Sequence, residues 1–394
     1  VQVRYVDPSH LRPEELSSWE ELAAQAVQPN PCAEPAFVIP ASRHLVEGSA
    51  VRLLVVHDGP RWTACLPVRR APRWRELPRG SVSAWHHLYC TSTAPLLDVN
   101  CPHEAVGLLL DHLVAPEELG SAPPRIFGID ELPEGAAAEA LIDEASRRGL
   151  PLLVADRWKR AAVHKREHVE DYLSGLSSRR RAELRRRRKR LAERLGTDVK
   201  MVDRSDDPDA AEAFLTLEAA GWKGRAGTAL ACNPDHAAFF RSMCEGFRRT
   251  GHLHLWSLES ENGRPVAMAC RLQSMDVLFT FKIAFDEDYA SLGPGVAAEM
   301  EALHAFHERE DLSMIDSCTD PANELLNELY PDRVTVCDIA IGLGSPIDKF
   351  LLSLFPRVRA ARRRLLPSGR RTAQRTDRRA AARGGSISSF QGSL

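Results

Sequence analysis

Three strand-like runs in succession, closed by a Gly-containing loop and a helix, restrict what this chain can fold into more than any other feature. Residues 252–259 and 264–273 read as strands, and Glu261-Asn262-Gly263 stands between them. Asn-Gly between two such runs signals a tight hairpin, because the favoured turn needs positive φ at both central residues. A third run, residues 277–285, places Val277, Phe279, Phe281, Ile283 and Phe285 on one face if the period of two holds throughout. A polar loop, residues 286–295, follows. Residues 294–309 then carry Val296, Met300, Leu303 and His307 at helical spacing. A strand at 313–317, a helix at 321–329 and a last strand at 334–341 complete the order.

The first half repeats that order without detectable sequence repetition. A helix is expected at 13–27, a Pro-rich turn at 28–35, and strands at 51–57 and 61–69 around Asp58-Gly59-Pro60. A short strand at 85–90, a helix at 103–114, a strand at 125–129, a helix at 135–148 and a strand at 151–155 follow. Further helices are expected at 178–195, stopped by Gly196, and at 207–220 and 233–250. The pattern predicts an α/β chain of two domains, residues 1–165 and 166–344, each a mixed, largely antiparallel sheet flanked by helices. A basic helix at 348–366 and a disordered tail make up residues 345–394. A chain of 394 residues has room for both domains.

Charge is unevenly placed. Residues 357–394 hold eleven Arg against one acid, Asp377, and residues 179–194 hold ten Arg or Lys against Glu183 and Glu193. Such blocks suit an anionic partner. For the tail a solvated, disordered segment is the expectation and an anionic partner the alternative. The nine Cys are scattered, odd in number and without a C-x-x-C pair, which reads as reduced thiols in a cytoplasm and leaves no zinc pattern. No apolar run reaches the ~18–20 residues of a membrane span. Residues 1–15 lack the basic-then-apolar pattern of a secretory leader. A cytoplasmic protein is therefore expected.

The loop Ala290-Ser291-Leu292-Gly293-Pro294-Gly295-Val296 joins a strand to a helix. Gly293 and Gly295 remove side chains where a ligand can approach the backbone, and the helix start offers free amides and the positive dipole end to a diphosphate. The Gly spacing is neither a dinucleotide fingerprint nor a P-loop. An ordinary tight turn would have the same appearance.

Phe281-Lys282-Ile283-Ala284-Phe285-Asp286-Glu287-Asp288-Tyr289, followed by Ser291-Leu292-Gly293-Pro294-Gly295, resembles the strand-and-loop signature of the CelD-type acetyltransferases. That family is associated with cellulose biosynthesis, belongs to the GNAT superfamily and is related to the FemAB aminoacyl transferases. Tyr172-Leu173-Ser174-Gly175-Leu176-Ser177 ahead of the Arg-rich helix, and Trp222-Lys223-Gly224 after the next one, are similar too. The resemblance implies tandem GNAT-like domains and N-acyl transfer from acyl-CoA, with acetyl-CoA as co-substrate, to a small amine or amino sugar. It also implies a place in envelope or polysaccharide metabolism. The backbone at Leu292, Gly293, Gly295 and Val296 would hold the donor diphosphate. The chain departs from the family in the extra Gly at 293 and in Tyr330-Pro331-Asp332-Arg333, where relatives carry Tyr-Lys. Arg333 is then the candidate for the missing positive group.

Acyl transfer to an amine requires juxtaposition of donor and amine, removal of a proton, and a donor to the thioester oxygen. Asp286, at the end of the central strand, is the first candidate base, with Asp316, Glu218 and His254 behind it; each carboxylate equally suits a cap. Lys282, expected on the face of Thr280 and Asp286, is a further catalytic candidate if it points into the cleft; pairing with a carboxylate is the alternative. Arg180 and Arg187 are candidates for phosphate contact, and Trp222 and Lys223 for a wall of the acceptor pocket. Two alternatives remain: aminoacyl transfer from charged tRNA, as in the FemAB relatives, and a non-enzymatic binder of nucleic acid or anionic polymer acting through the Arg blocks.

Overall fold

The chain divides into two units, residues 1–159 with 334–343, and residues 160–333. The computed structural model describes residues 1–46, 48–75, 80–114, 124–343, 350 and 352. The helix expected at 348–366 and the basic tail lie outside the described residues, apart from Phe350 and Leu352.

In the first unit the elements run β1 (Gln2–Val6), α1 (Pro13–Ala24), α2 (Pro35–His44), β2 (Arg52–Asp58), β3 (Arg61–Ala71), β4 (Ser81–Ala84), β5 (Leu96–Leu97), α3 (Pro102–Val114), β6 (Ile126–Pro133), α4 (Ala136–Arg147) and β7 (Leu152–His164). The second continues with α5 (Val169–Gly175), α6 (Ser178–Leu195), β8 (Val199–Asp203), α7 (Ala210–Ala220), α8 (Trp222–Arg225), α9 (Pro234–Arg249), β9 (Leu253–Ser260), β10 (Pro265–Ser274), β11 (Val277–Phe285), α10 (Pro294–Glu308), β12 (Met314–Asp316) and α11 (Glu324–Leu329), and the chain then returns to the first unit along β13 (Asp332–Gly342).

The order β1-α1-α2-β2-β3-β4-α3-β6-α4-β7 returns as β8-α7-α9-β9-β10-β11-α10-β12-α11-β13. Pairing follows suit. β1-β2-β3-β4-β6 matches β8-β9-β10-β11-β12, and in each the step from fourth to fifth strand is parallel while the others are antiparallel. The final strands are exchanged. β13 pairs with β6 of the first unit, and the end of β7, residues 162–164, pairs with β12 of the second. The sequence reading had kept each last strand with its own half; alternation along a strand does not say which neighbour it will find.

Three local differences have simple causes. Residues 85–90 are not a strand, and β4 lies earlier, at Ser81–Ala84. The expected Pro-rich turn is present, with a short 3-10 turn at Pro31–Ala33, and it leads into an unexpected helix, α2, which starts on Pro35 and carries Pro40 inside. A proline in the first turn costs no hydrogen bond, and ten residues of helix accommodate the second near that turn. β1 and β8, each five residues long, are too short to stand out by period.

Sheet and helices of the second unit bury two faces. α10 covers one with Leu303 and Phe306 against Leu278 and Ile315. On the other, Phe240 of α9 stacks on Phe281, while Phe239 meets Phe281 and Phe214 of α7 meets Phe240 at tilted angles. Each such side chain contributes roughly 1.5–3 kcal/mol on burial. Asn262-Gly263 turns β9 into β10 where expected, but of the two only Gly263 takes a positive φ, 77, and its amide bonds to the Ser260 carbonyl at 2.9 Å. α6 is capped at its start by the Ser177 hydroxyl, which accepts from the Arg180 amide, and stopped by Gly196 at φ 72.

Under α10 lies a buried charged row. Arg271 donates to Glu299 at 2.5 Å, the Tyr330 hydroxyl donates to the other Glu299 oxygen at 2.6 Å, and the guanidinium sits 5.2 Å from the Trp256 ring. Removing the carboxylate strands a buried cation, so Glu299→Leu is expected to destabilise the protein by about 3–5 kcal/mol, read by urea unfolding. Next in this row, burial above all holds the His254 imidazole neutral, with its pKa pushed down to about 4 despite its 2.7 Å bond to Gln273. Below pH 6.5 the unfolded chain gains a proton at this residue that the folded one refuses until about pH 4. Stability is therefore expected to fall through that window, by on the order of 2–3 kcal/mol from this group. The unfolding free energy of His254→Gln, followed against pH, should show a shallower slope there.

Candidate active site

β11 pairs with β12 through Val277, Leu278 and Phe279 only. From residue 280 to 285 the strand continues while β12 has ended at Asp316, so one edge of β11 leaves its parallel neighbour. Within that stretch β11 carries a bulge. Cys270 and Arg271 of β10 face Lys282 and Thr280, with Phe281 as the extra residue. A bulge bends the strand and reverses the alternation of side chains.

That reversal corrects the sequence reading. Phe281 does point towards α9, and Leu278 towards α10, as a period of two requires. Past the bulge, however, Ile283 and Phe285 come to the α10 face, where they are the nearest groups to Gly295. The five residues 277, 279, 281, 283 and 285 therefore do not share a face. Lys282 is likewise parted from Thr280. It turns to α7, while Thr280 stands opposite Arg271 on the α10 side.

On the α7 side two ammonium groups converge on one carboxylate. Glu218 Oε1 accepts from Lys282 Nζ and from Lys223 Nζ, each at 3.1 Å, and Oε2 accepts from the Leu230 amide at 2.8 Å. Lys223 Nζ also donates to the Ile283 carbonyl at 3.1 Å. Burial alone would raise the Glu218 carboxyl; Lys282, Lys223 and the amide more than reverse this and hold it below the usual range. Burial lowers the Lys282 pKa, against the pull of Glu218, and Lys223 adds to the lowering. His236, half-buried, is lowered by burial and then by Lys282. Lys223 and Trp222 sit on α8, which Glu287 fastens by accepting from the Trp222 amide and pairing with Arg225. The Trp222 turn is thus pinned to the start of the loop after β11.

Asp286 closes β11. One of its oxygens accepts from the Asp288 amide at 3.1 Å and the other from Arg264 at 2.5 Å, so it caps the turn over Glu287–Leu292. Asp316 is fully buried, bound by Arg160 at 2.6 and 3.0 Å and by the Cys318 amide at 2.9 Å. Both carboxylates bind to structural partners. Arg333 donates to the carbonyls of Asn327 and Tyr330 at the end of α11 and serves as a helix stop.

The loop ends at Gly293, whose φ of 67 and ψ of 53 are left-handed. Arg187 Nη1 lies 3.1 Å from where a Cβ would stand on this residue. Pro294 opens α10 without an amide hydrogen. The amides of Val296 and Ala297 both bond to the Gly293 carbonyl, at 3.0 and 3.1 Å. The Gly295 amide has no acceptor among the described residues, as the first turn of a helix leaves it. Of the four loop positions singled out in sequence, Gly295 is thus the one that offers a donor, while Leu292 packs with Tyr289 and Phe285 around Ala297 and Ala298. Arg187 is held by Glu183 at 2.6 Å, and Arg180 pairs with the same Glu183 at 3.0 Å and with Glu328 at 3.3 Å.

Beside the loop, α6 and α10 enclose a cavity of about 200 Å³. Arg187 and Arg188 stand on one wall, and Leu184, Val296 and Met300 are among its apolar residues. Nothing in the hydrophobic pattern announced this cavity. The basic run of α6 and the Gly293 loop were the sequence signals near it. Among the described residues, no three or more of His, Cys, Asp and Glu are grouped to hold a metal, and no helix is long and apolar enough to cross a membrane. All nine cysteines are free.

Residues 178–324 match the family described as the acetyltransferase (GNAT) domain. The second unit carries that domain, the domain of an acyltransferase enzyme, and the repeated element order makes the chain a tandem of GNAT-like units. Similar solved structures share the fold at low identity. FemX is 11% identical with a TM-score of 0.56, covering 86% of this chain and 97% of its own. A conserved protein of unknown function from Bacteroides thetaiotaomicron is 12% identical at 0.52, with 86% and 100% covered. L-PGS from Bacillus licheniformis is 14% identical at 0.50, with 89% and 98% covered. No curated protein matches.

Proposed function

We propose that the chain moves an acetyl group from acetyl-CoA to the amine of a small molecule or amino sugar in the cytoplasm. The observation that carries this reading is the departure of β11 from β12 after Phe279, directly before the Gly293–Val296 helix start. A donor diphosphate at the Gly295 amide and Arg187 sends the pantetheine arm along the open edge of residues 280–285. The positive end of α10 and the guanidinium both favour the anion. The thioester carbon is then near the bulge, with Lys282 on the α7 side.

In the reaction the amine nitrogen bonds to the thioester carbon, the carbon–sulfur bond breaks, the amine gives up a proton and the thiolate gains one. We assign Lys282 Nζ to the negative charge that develops on the thioester oxygen, and Glu218 and Lys223 to fixing its position. Donors set in advance towards such a charge are among the largest contributions to acyl transfer. Asp286 and Asp316, already bound on both oxygens, set the loop and the strand end. The acceptor approaches past Trp222 and Lys223. The test is calorimetric titration with acetyl-CoA, followed by a panel of amines and amino sugars with labelled acetyl-CoA. Binding and label transfer are expected; a protein that binds no acyl-CoA overturns the reading.

A second reading is aminoacyl transfer from charged tRNA, supported by the fold shared with FemX and L-PGS over most of this chain. It predicts transfer from aminoacyl-tRNA and no affinity for acetyl-CoA. The same titration separates the two.

A further inference from the structure

The cavity between α6 and α10 is lined by arginines and apolar side chains, and of its four arginines Arg181 and Arg185 have no carboxylate partner among the described residues. Arg181 is fixed by the carbonyls of Leu173 and Ser174 at 3.0 and 3.2 Å. Arg188 reaches Glu301 at 3.3 Å, the one acid on the lining. Arg185, on the same lining, is exposed and has no acceptor among the described residues. Arg187 belongs to both places: it lines the cavity and lies over Gly293. The space therefore runs directly on from the loop. Leu184 of α6 and Val296 and Met300 of α10 add apolar surface to the same lining.

We propose that this cavity holds the phosphorylated adenosine end of the acyl donor, with its 3′-phosphate read by Arg185 and Arg188. The inference rests on the acyl-CoA reading above and adds to it the part of the donor that sets affinity. A purine matches an apolar surface that offers no matched hydrogen bonds, and guanidinium groups bind phosphate in two-pronged fashion. A diphosphate at Gly295 and Arg187 leaves the ribose and its 3′-phosphate to continue past the first turn of α10, where Arg185 and Arg188 stand.

The experiment compares CoA with dephospho-CoA, which lacks only that phosphate, by calorimetry on the full chain. Native protein is expected to bind CoA at least about tenfold more tightly, as the loss of a charge-assisted pair requires. The variant Arg185→Ala with Arg188→Ala should bind the two equally while melting at the native temperature. Arg188 holds Glu301, so Arg185→Ala alone serves if the double variant unfolds; it should lower the preference by about threefold or more. Equal binding by native protein, or a preference that survives the variants, overturns the inference while leaving acyl-CoA as the donor. If neither ligand binds, the donor reading falls, and titration with 3′,5′-ADP against 5′-ADP decides the cavity separately. A preference for the former that the variants remove upholds phosphate recognition there, and no binding overturns it.

Discussion

Glutamate in place of Gly295 is expected to weaken acetyl-CoA binding by at least about a hundredfold and to leave thermal unfolding unchanged. A Cβ on this residue would meet Phe285 Cδ1 at 3.6 Å and Ile283 Cγ2 at 3.9 Å, which is ordinary contact. A side chain is therefore tolerated, and a carboxylate in the first turn of α10 is favourable to the helix dipole. The harm falls on the ligand. The carboxylate takes the place of the donor diphosphate at the Gly295 amide and Arg187 and repels what remains; two lost charge-assisted contacts account for a hundredfold. Gly295→Ala is the control and should bind within about threefold of native, since it adds volume without charge. Native-like binding by the glutamate variant would remove the donor site from this helix.

Methionine in place of Lys282 should lower kcat by about 10²–10³ with the acetyl-CoA dissociation constant unchanged. The ammonium is buried beside Glu218 and Lys223 at the bulge, away from the Gly293 loop, so donor binding has no reason to change. Methionine matches the length of lysine and leaves Glu218 paired with Lys223, which limits the structural cost. Burial lowers the Lys282 pKa, so arginine, which does not lose its proton, separates two roles. If fixed positive charge suffices, Lys282→Arg retains much of the rate. If the proton itself moves, it does not, and the pH profile of the native enzyme shows an ionisation missing from the arginine variant. An unchanged kcat in the methionine variant would place the chemistry elsewhere.

Much of the second unit was legible in sequence because it is written locally. The Asn262-Gly263 turn, the stop at Gly196 and the period of α10 each follow from residues a few positions apart. The resemblance around Phe281–Tyr289 pointed to an acyltransferase, and the family match over residues 178–324 agrees with it at that level. The site was legible only in part. Asp286 drew attention by its position, yet its oxygens belong to Arg264 and the Asp288 amide. Glu218 stood among four candidate bases, and only the structure shows two lysines meeting on it.

The sequence alone determined the turns at Gly196 and Gly263, most of the longer helices and strands, and that a strand, a Gly loop and a helix follow one another at residues 277–308. Tertiary structure decided which face Lys282 takes, which unit receives each last strand, and where β11 parts from β12. The reason is physical. Turns and periods depend on backbone preferences within a few residues, whereas a bulge at Phe281 or an exchange of β7 and β13 arises from pairing between strands far apart in the chain, to which a period of two is blind.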